Sequence, residues 1–417
     1  MSRILARLAS VPAFFGLRVA SALILLKLSA SFLPVAGFTI FSQLMLFTAL
    51  LNVLALCGAQ NGVVRQAAAA EGPDALARTQ AAAFALWGAA VPLALLPVAF
   101  AGGTISKILV GSPEQAGVIL ALTAIALLGA PGQVWCGLMT GRKRVARSLA
   151  AQAAGLIAGA AAAGWRIAQH DPAGAAVAFT SGSVVTTLVA LPFALQLGIP
   201  LIPRQFCWTQ MRVLLRYSAA FAATTGYASI VLFGLRWAYR DHFGATQLGY
   251  WLAANRVSDM STQLLGLFMI QVFVPHMAGT HNEARRRSIL VRCWAVAVGV
   301  MSAFVLVFSL ASGLLIHLFL SDAYLPAAPV IRTYMIGDVL RIWASLAMYT
   351  AFANGRPLRY AGIEVGALSI LAVVATTLIA TGDPAAPQLG YVIAYAATAI
   401  VVSTAFLLRP QPQPAVA

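Results

Sequence analysis

Long apolar stretches follow one another along the whole chain, and short loops rich in turn-forming or charged residues separate them. Each stretch can form a helix that crosses a bilayer, since about 20 residues at a rise of 1.5 Å reach about 30 Å. The runs are continuous rather than alternating, which excludes a closed β-barrel. The pattern predicts spans near residues 11–33, 38–60, 80–101, 116–140, 148–168, 175–198, 213–237, 247–273, 289–317, 329–352, 361–381 and 389–408.

These twelve predicted spans indicate an all-α polytopic membrane protein. The fourth and tenth spans end on a shared pattern of a Gly-Arg pair followed by a further Arg, namely Gly141-Arg142 with Arg147 and Gly355-Arg356 with Arg359. Halves with an even number of spans keep their orientation, so the pattern predicts two six-helix bundles related by a pseudo-two-fold axis along the membrane normal. We predict an N-terminal bundle over residues 1–200, a cytoplasmic linker over 201–212 and a C-terminal bundle over 213–417.

Composition supports this class, because 61% of the 417 residues are hydrophobic and only 9% are charged. The formal net charge of +16 would suggest a nucleic-acid partner in a soluble protein. Here most of the 27 Lys and Arg residues fall at the termini and in alternate loops, and only Lys107, Arg166 and Arg240 fall in the opposite loops. The positive-inside rule therefore places both termini in the cytoplasm and explains the charge without nucleic acid.

Six basic residues interrupt the predicted spans: Arg18, Lys27, Arg236, Arg256, Arg332 and Arg341. Each charge at the centre of a bilayer costs roughly 2.5–3.5 kcal/mol on the mildest scale. These side chains must reach an interface, pair with acids or line a water-filled cavity. A cationic cavity within a membrane suggests an anionic, lipid-soluble cargo.

Depth and helical phase separate these bases. Three lie near span ends and could reach the headgroups instead: Arg18, Arg236 and Arg332. The deeper three are Lys27, Arg256 and Arg341, where a cavity role is favoured. Residues nine apart on a helix point in opposite directions, so Arg18 and Lys27 cannot share one narrow lumen, nor can Arg332 and Arg341.

Three acids share the spans, and they are Asp259, Asp338 and Glu364. Arg256 with Asp259 and Asp338 with Arg341 are spaced i to i+3, so each could form a pair on one helix face. Such pairs either neutralise each other or let a carboxylate take up a proton or cation and couple a gradient to transport. Other polar or aromatic side chains could bind sugar, namely Gln43, Asn61 and Trp251, although helix contacts or interfacial anchoring explain them equally well.

Enzymatic motifs are absent from the sequence. No phosphate-binding G-x-x-x-x-G-K-[ST] loop occurs, and no H-E-x-x-H, D-x-D or G-x-S-x-G pattern is found. The four cysteines show no metal-ligand spacing and are expected to be packing residues: Cys57, Cys136, Cys207 and Cys293. We therefore expect a transporter that has no catalytic residues, metal or cofactor.

Several short motifs, taken in order, resemble those of a known family. They are Lys27-Leu28, Gln43-Leu44, Asn61-Gly62-Val63, Gly249-x-Trp251, Ser258-Asp259, Gly337-Asp338-Val339-Leu340-Arg341, Leu358-Arg359-Tyr360 and Glu364-Val365. The chain resembles, over essentially its whole length, the oligosaccharide-lipid flippases of the multidrug/oligosaccharidyl-lipid/polysaccharide exporter (MOP) superfamily. Within them it is similar to the bacterial flippases for lipid III of enterobacterial common antigen and for O-antigen.

The resemblance implies a cationic central cavity and alternating access in the bacterial inner membrane. It implies that undecaprenyl-diphosphate-linked glycans are carried to the periplasmic leaflet, with a polysaccharide polymerase and a chain-length regulator as further partners. Ser42 stands where the lipid III flippases carry a basic residue, which leaves the glycan open. Two rival functions remain: a drug/cation antiporter of the same superfamily, disfavoured by six buried bases against three acids, and a membrane glycosyltransferase or polymerase.

Overall fold

The computed structural model describes residues 2–56, 58–70, 72–199, 206–268, 283–353 and 357–408. These residues form α-helices with two short 3-10 helices, Pro113–Gln115 and Asp322–Ala327. The first helices are α1 (Ser2–Phe32), α2 (Val35–Leu54), α3 (Gln60–Ala69), α4 (Pro73–Val110), α5 (Ala116–Gly141), α6 (Val145–Ala168) and α7 (Pro172–Leu195). They are followed by α8 (Trp208–Phe268), α9 (Glu283–Leu310), α10 (Ser312–Phe319), α11 (Ala328–Ala353), α12 (Pro357–Ala380) and α13 (Ala386–Leu408).

Each predicted span coincides with a helix, but the helix ends differ. The long α8 covers both the seventh and the eighth span, and Gly244 interrupts it with a φ of 82° that favours glycine. The ninth predicted span is divided between α9 and α10. Helix α2 covers the second predicted span only as far as Leu54, and the separate helix α3 begins at Gln60. Residues 269–273, at the end of the eighth span, lie outside the described residues, as do Gly355, Arg356 and Cys57.

Eight helical segments of the described residues are long and apolar enough to cross a membrane. The four predicted spans that are not among them are 11–33, 213–237, 247–273 and 329–352. These four contain all six intramembrane bases, which lower their mean hydropathy. Together the helices confirm an all-α polytopic membrane protein, and the six intramembrane bases lie in three of its helices, α1, α8 and α11.

The chain divides into two compact units, Met1–Ser229 and Ile230–Ala417. In the first unit α6 lies along α7, and α7 also packs on α5. Glycine permits the closest approach, because a Cβ added at Gly159 would lie 2.6 Å from the carbonyl oxygen of Phe179. The predicted boundaries at residues 200 and 213, and the pseudo-two-fold axis, stay predictions.

In the second unit α11 is the central element, since it packs against α9, α12 and α13. The contact with α13 is close where Gly337 faces the ring of Tyr391, which would overlap a Cβ at that position. One residue before Tyr391 on α13, a Cβ added at Gly390 would lie 3.0 Å from the Cβ of Ala375 on α12. This packing brings polar residues of α8, α11, α12 and α13 together.

Candidate functional site

The predicted binding residues of the first unit lie on three helices. Arg18 is exposed on α1, Lys27 is half-buried on the same helix, and Gln43 is buried on α2. Asn61 belongs to α3, and its side chain lies outside what the structure describes. Arg18 and Lys27 therefore differ in burial, and their expected difference in orientation stays a prediction. Their roles in binding stay predictions.

The second unit holds a group that we call the α8 arginine cluster: Arg236, Trp251, Arg256 and Asp259. Arg236 is only 6% exposed, and its Cζ atom lies 5.9 Å from the centroid of the Trp251 ring, which is itself buried. The guanidinium groups of Arg236 and Arg256 lie close enough to repel each other, while the exposed carboxylate of Asp259 attracts both. Two neighbouring cations in a poorly solvated place favour an anion.

Burial corrects one interpretation of Arg236. Its position near a predicted span end allowed the side chain to extend to the headgroups, but its guanidinium is enclosed within the second unit. Arg332 behaves differently, because it is exposed and donates a hydrogen bond to the hydroxyl of Ser312. Trp251 contacts Arg236 and the ring of Tyr239, 5.3 Å away, so in this structure it supports the cluster from within.

A second group, which we call the Asp338 network, consists of Ser258, Asp338, Tyr391, Arg341 and Glu364. The hydroxyl of Ser258 on α8 donates to Oδ1 of Asp338 over 2.7 Å. The hydroxyl of Tyr391 on α13 donates to the same oxygen over 2.8 Å and accepts from Nη1 of Arg341 over 3.4 Å. Nη2 of Arg341 then lies 3.8 Å from Oε1 of Glu364 on α12. Side chains of four helix segments are thus connected in one chain of polar contacts.

Asp338 is the most enclosed member of this network, with none of its surface exposed. Both of its hydrogen bonds end on Oδ1, and within the described part of the chain its Oδ2 is buried without a hydrogen-bond partner. A buried polar atom without a partner costs about 1–3 kcal/mol. A proton or a cation at Oδ2 would remove that cost, so the geometry suits a carboxyl group that changes its state.

Arg341 is the accessible member, with 34% of its side chain exposed against 17% for Glu364. Its Cζ atom lies 5.5 Å from the centroid of the Tyr395 ring, within the range of a cation–π interaction. A guanidinium carries five N–H donors, and the contacts to Tyr391 and Glu364 use two of them. The guanidinium of Arg341 therefore contacts Tyr391, Tyr395 and Glu364, and part of the side chain stays exposed.

The predicted direct pair between Asp338 and Arg341 is replaced by a bridged one. Among the described residues, the carboxylate within ion-pair distance of Arg341 is that of Glu364. Tyr391 lies between the two i, i+3 partners because its ring packs on Gly337, one residue before Asp338. The hydroxyl thereby occupies the space through which a direct contact would run.

Tyrosines are the residues that sequence reasoning missed. Tyr334 stacks on Tyr391 with ring centroids 4.3 Å apart, and it also lies near Arg236 and Asp259. Tyr334, Tyr391 and Tyr395 are all buried. A sequence signal existed, since Tyr391 and Tyr395 are spaced i, i+4 inside an apolar span and a buried tyrosine hydroxyl usually has a partner.

The cysteines form no disulfide within the described part of the chain, where Cys136, Cys207 and Cys293 are free. Cys136 is buried and the other two are half-buried. No group of three or more His, Cys, Asp or Glu side chains that could hold a metal is found among the described residues.

Solved transporter structures share this fold. An inward-facing multidrug resistance MATE family transporter of the MOP superfamily is 14% identical with a TM-score of 0.75, over 95% of this chain and 94% of that one. The lipid II flippase MurJ, in an inward closed conformation, is 12% identical with a TM-score of 0.77, over 97% of this chain and 88% of that one.

A third solved structure is a MOP superfamily transporter from Pyrococcus furiosus whose reversed binding-pocket polarity suggests a different function. It is 15% identical with a TM-score of 0.63, over 96% of this chain and 94% of that one. No family model matches the chain. No curated protein matches it either. At these identities, the solved structures show a common fold.

Proposed function

We propose that this chain is a flippase that moves an undecaprenyl-diphosphate-linked oligosaccharide, of the lipid III or O-antigen kind, across the bacterial inner membrane. The cargo would pass from the cytoplasmic to the periplasmic leaflet by alternating access. The observation that carries this proposal is Arg341, a partly exposed guanidinium fixed by tyrosines within a predicted membrane span. A positive charge inside a membrane span carries a free-energy cost unless an anion pairs with it.

The accessibility of the charges favours an anion over a cation at Arg341. Its paired carboxylate, Glu364, is half as exposed, and Asp338 is fully enclosed. An entering molecule therefore meets the base first. Charge-assisted contacts between guanidinium and phosphate are strong where water is scarce.

The predicted binding residues divide by chemistry. Lys27, Arg256 and Arg341 would neutralise the diphosphate during its passage, with Arg18 and Arg236 as further cations. Gln43, Asn61 and Trp251 would contact the glycan, while the polyprenyl tail stays in the surrounding lipid. A polysaccharide polymerase and a chain-length regulator would receive the product, and neither a metal nor a nucleic acid is needed.

The comparisons support this reading in general terms. A lipid II flippase and a multidrug resistance transporter share the fold, so the same framework serves different cargoes. For the Pyrococcus furiosus protein, reversed polarity of the pocket is linked to a different function. An excess of intramembrane bases over acids would likewise favour a cargo unlike a cationic drug.

Coupling to a gradient would use Asp338, with Asp259 and Glu364 as the other candidates. Asp338 has the strongest case because its Oδ2 lacks a partner among the described residues. Uptake of a proton or cation there would change the charge beside Tyr391 and Arg341. The membrane potential offers a second driving force, at about 2.3 kcal/mol per charge per 100 mV.

Deletion of the gene tests the proposed cargo. We expect mass spectrometry of the deletion strain to show an accumulated polyprenyl-diphosphate-linked glycan, and surface glycan to fall. Complementation with the wild-type chain should reverse both effects, whereas Lys27→Ala or Arg341→Ala at equal expression should not. Normal export with both substitutions would remove these residues from the mechanism, and an unchanged lipid-linked pool would overturn the proposed cargo.

A drug/cation antiporter is the second candidate, favoured by the exposed carboxylate of Asp259 and by the MATE fold neighbours. It predicts that the deletion strain becomes sensitive to cationic drugs and that Asp259→Asn fails to restore resistance. A flippase predicts unchanged drug sensitivity together with the accumulated glycolipid. Sugar transfer by the purified protein would instead indicate the glycosyltransferase alternative.

A further inference from the structure

Tyr391 is the residue of the Asp338 network that contacts both Asp338 and Arg341. Its hydroxyl donates to Asp338 Oδ1 over 2.8 Å and accepts from Arg341 Nη1 over 3.4 Å. Its ring stacks on Tyr334 at 4.3 Å and packs edge-on against Tyr395 at 4.8 Å. One side chain of α13 thus contacts the enclosed acid and the accessible base of α11.

The direction of the hydroxyl proton makes this contact informative. A tyrosine hydroxyl has one proton to donate and can accept in other directions. Because Asp338 takes the proton, an oxygen lone pair is left to face the guanidinium of Arg341. The carboxylate therefore orients the hydroxyl, and the hydroxyl in turn orients Arg341.

Gly337 permits this arrangement. Any Cβ at residue 337 would overlap the Tyr391 ring, so the ring lies directly on the backbone of α11. That close approach places the hydroxyl beside Asp338, the next residue along the helix. The chain thus combines a glycine, an acid and a base within five residues of α11 to seat one tyrosine of α13.

We propose that Tyr391 is a positioning residue for the anion-binding guanidinium of Arg341, itself oriented by Asp338. This inference rests on the proposed function, because it assumes that Arg341 binds the diphosphate. Tyr391 does not contact the cargo. It holds Nη1 so that the unused N–H donors of Arg341 point to the exposed side of the group.

The test uses purified full-length protein in nanodiscs, with farnesyl diphosphate as the charged probe and farnesol as the neutral one. We expect Tyr391→Phe, which keeps the stacked ring, to raise the Kd for farnesyl diphosphate about ten-fold. The Kd for farnesol should not change. A tyrosine needed only for packing would affect both probes.

Tyr239→Phe is the matched control. The Tyr239 hydroxyl donates a hydrogen bond of 2.9 Å to the carbonyl of Pro384, so this variant also loses one buried tyrosine hydrogen bond in the same unit. That hydroxyl bonds a backbone carbonyl rather than a member of the Asp338 network, so the affinity of this variant for farnesyl diphosphate should match the wild type. Equal weakening by the two variants would overturn the inference.

A double-mutant cycle tests the connection to Asp338. Asp338→Leu should weaken binding of farnesyl diphosphate by a factor similar to that of Tyr391→Phe, and the combined variant should be little weaker than either. Fully additive losses would overturn the inference, as would an unchanged Kd for Tyr391→Phe. Failure of the wild type to bind farnesyl diphosphate would instead overturn the proposed function, a result reached before any variant is measured.

Discussion

The hydroxyl of Tyr391 lies 2.8 Å from Oδ1 of Asp338 and fastens α13 to the middle of α11. The bond is buried, and it leaves Oδ2 of the same carboxyl without a partner among the residues that the structure describes. One oxygen is therefore structural, while the other is available for a proton or a cation. This division of the carboxyl group motivates the first prediction.

Asp338→Asn should abolish or strongly reduce export while the protein still folds. Asparagine keeps an oxygen for Ser258 and Tyr391, but it cannot gain and lose charge during a transport cycle. We expect export to fall at least about ten-fold, which corresponds to about 1.4 kcal/mol. Surface glycan in the complemented deletion strain is the measurement. The exposed Asp241→Asn on α8 is the control, and export equal to that control would contradict a coupling role.

Gly337→Ala should lower the free energy of unfolding by about 1–3 kcal/mol, since the new Cβ would displace the Tyr391 ring. Gly362→Ala on α12 is the matched control because its added Cβ meets open space. That control should be neutral or stabilising by about 0.5–1 kcal/mol, as alanine favours a helix over glycine. Thermal unfolding in detergent compares the two. Equal melting temperatures would contradict the close contact.

Arg341→Lys should impair export although it retains the positive charge. An ammonium group lacks the planar array of donors that reaches Tyr391 and Glu364 from one position. We expect a loss on the order of ten-fold, because the variant would lose the hydrogen bond to Tyr391 and weaken the ion pair with Glu364. Arg332→Lys on the same helix is the control, because Arg332 is exposed. Similar activity of both variants would mean that charge alone matters at Arg341.

Cys207, just before α8 in the predicted cytoplasmic linker, reports topology and pH dependence together. Backbone hydrogen bonds from Gln210 and then Thr209 lower the pKa of its thiol. The thiolate is the reactive form, so maleimide should label Cys207 faster at neutral pH than it labels an ordinary thiol. Because the pKa is lowered, this advantage should disappear as the pH rises through the ordinary thiol range near about 8.5.

A variant that keeps Cys207 as its sole cysteine provides the measurement. A membrane-impermeant maleimide should label it in inside-out vesicles and leave it unlabelled in intact spheroplasts, as expected for cytoplasmic termini and linker. Cys207→Ser in the same background should remove the signal. Labelling of intact spheroplasts would show that the predicted orientation is inverted.

Helix positions and the deep charges could be predicted from the sequence because they depend on local properties. Hydropathy over about 20 residues locates a span. Lys27, Asp338 and Arg341 are noticeable in such a span because of the cost of burying a charge. The confirmed all-α membrane class follows from the same reasoning. The break at Gly244 lies in the predicted loop between the seventh and eighth spans. The break between α9 and α10 inside the ninth predicted span was harder to predict, since the hydropathy of that stretch is continuous.

The partners of those charges could not be predicted from the sequence. Helical spacing suggested that Asp338 and Arg341 meet directly, whereas Asp338 bonds Ser258, 80 residues before it, and Tyr391, 53 residues after it. Local spacing shows which side chains share a helix face, but it does not show which neighbouring helix covers that face. Tyr391 comes between acid and base only because α13 packs tightly on Gly337, and such packing depends on the shapes of distant segments once they are folded together.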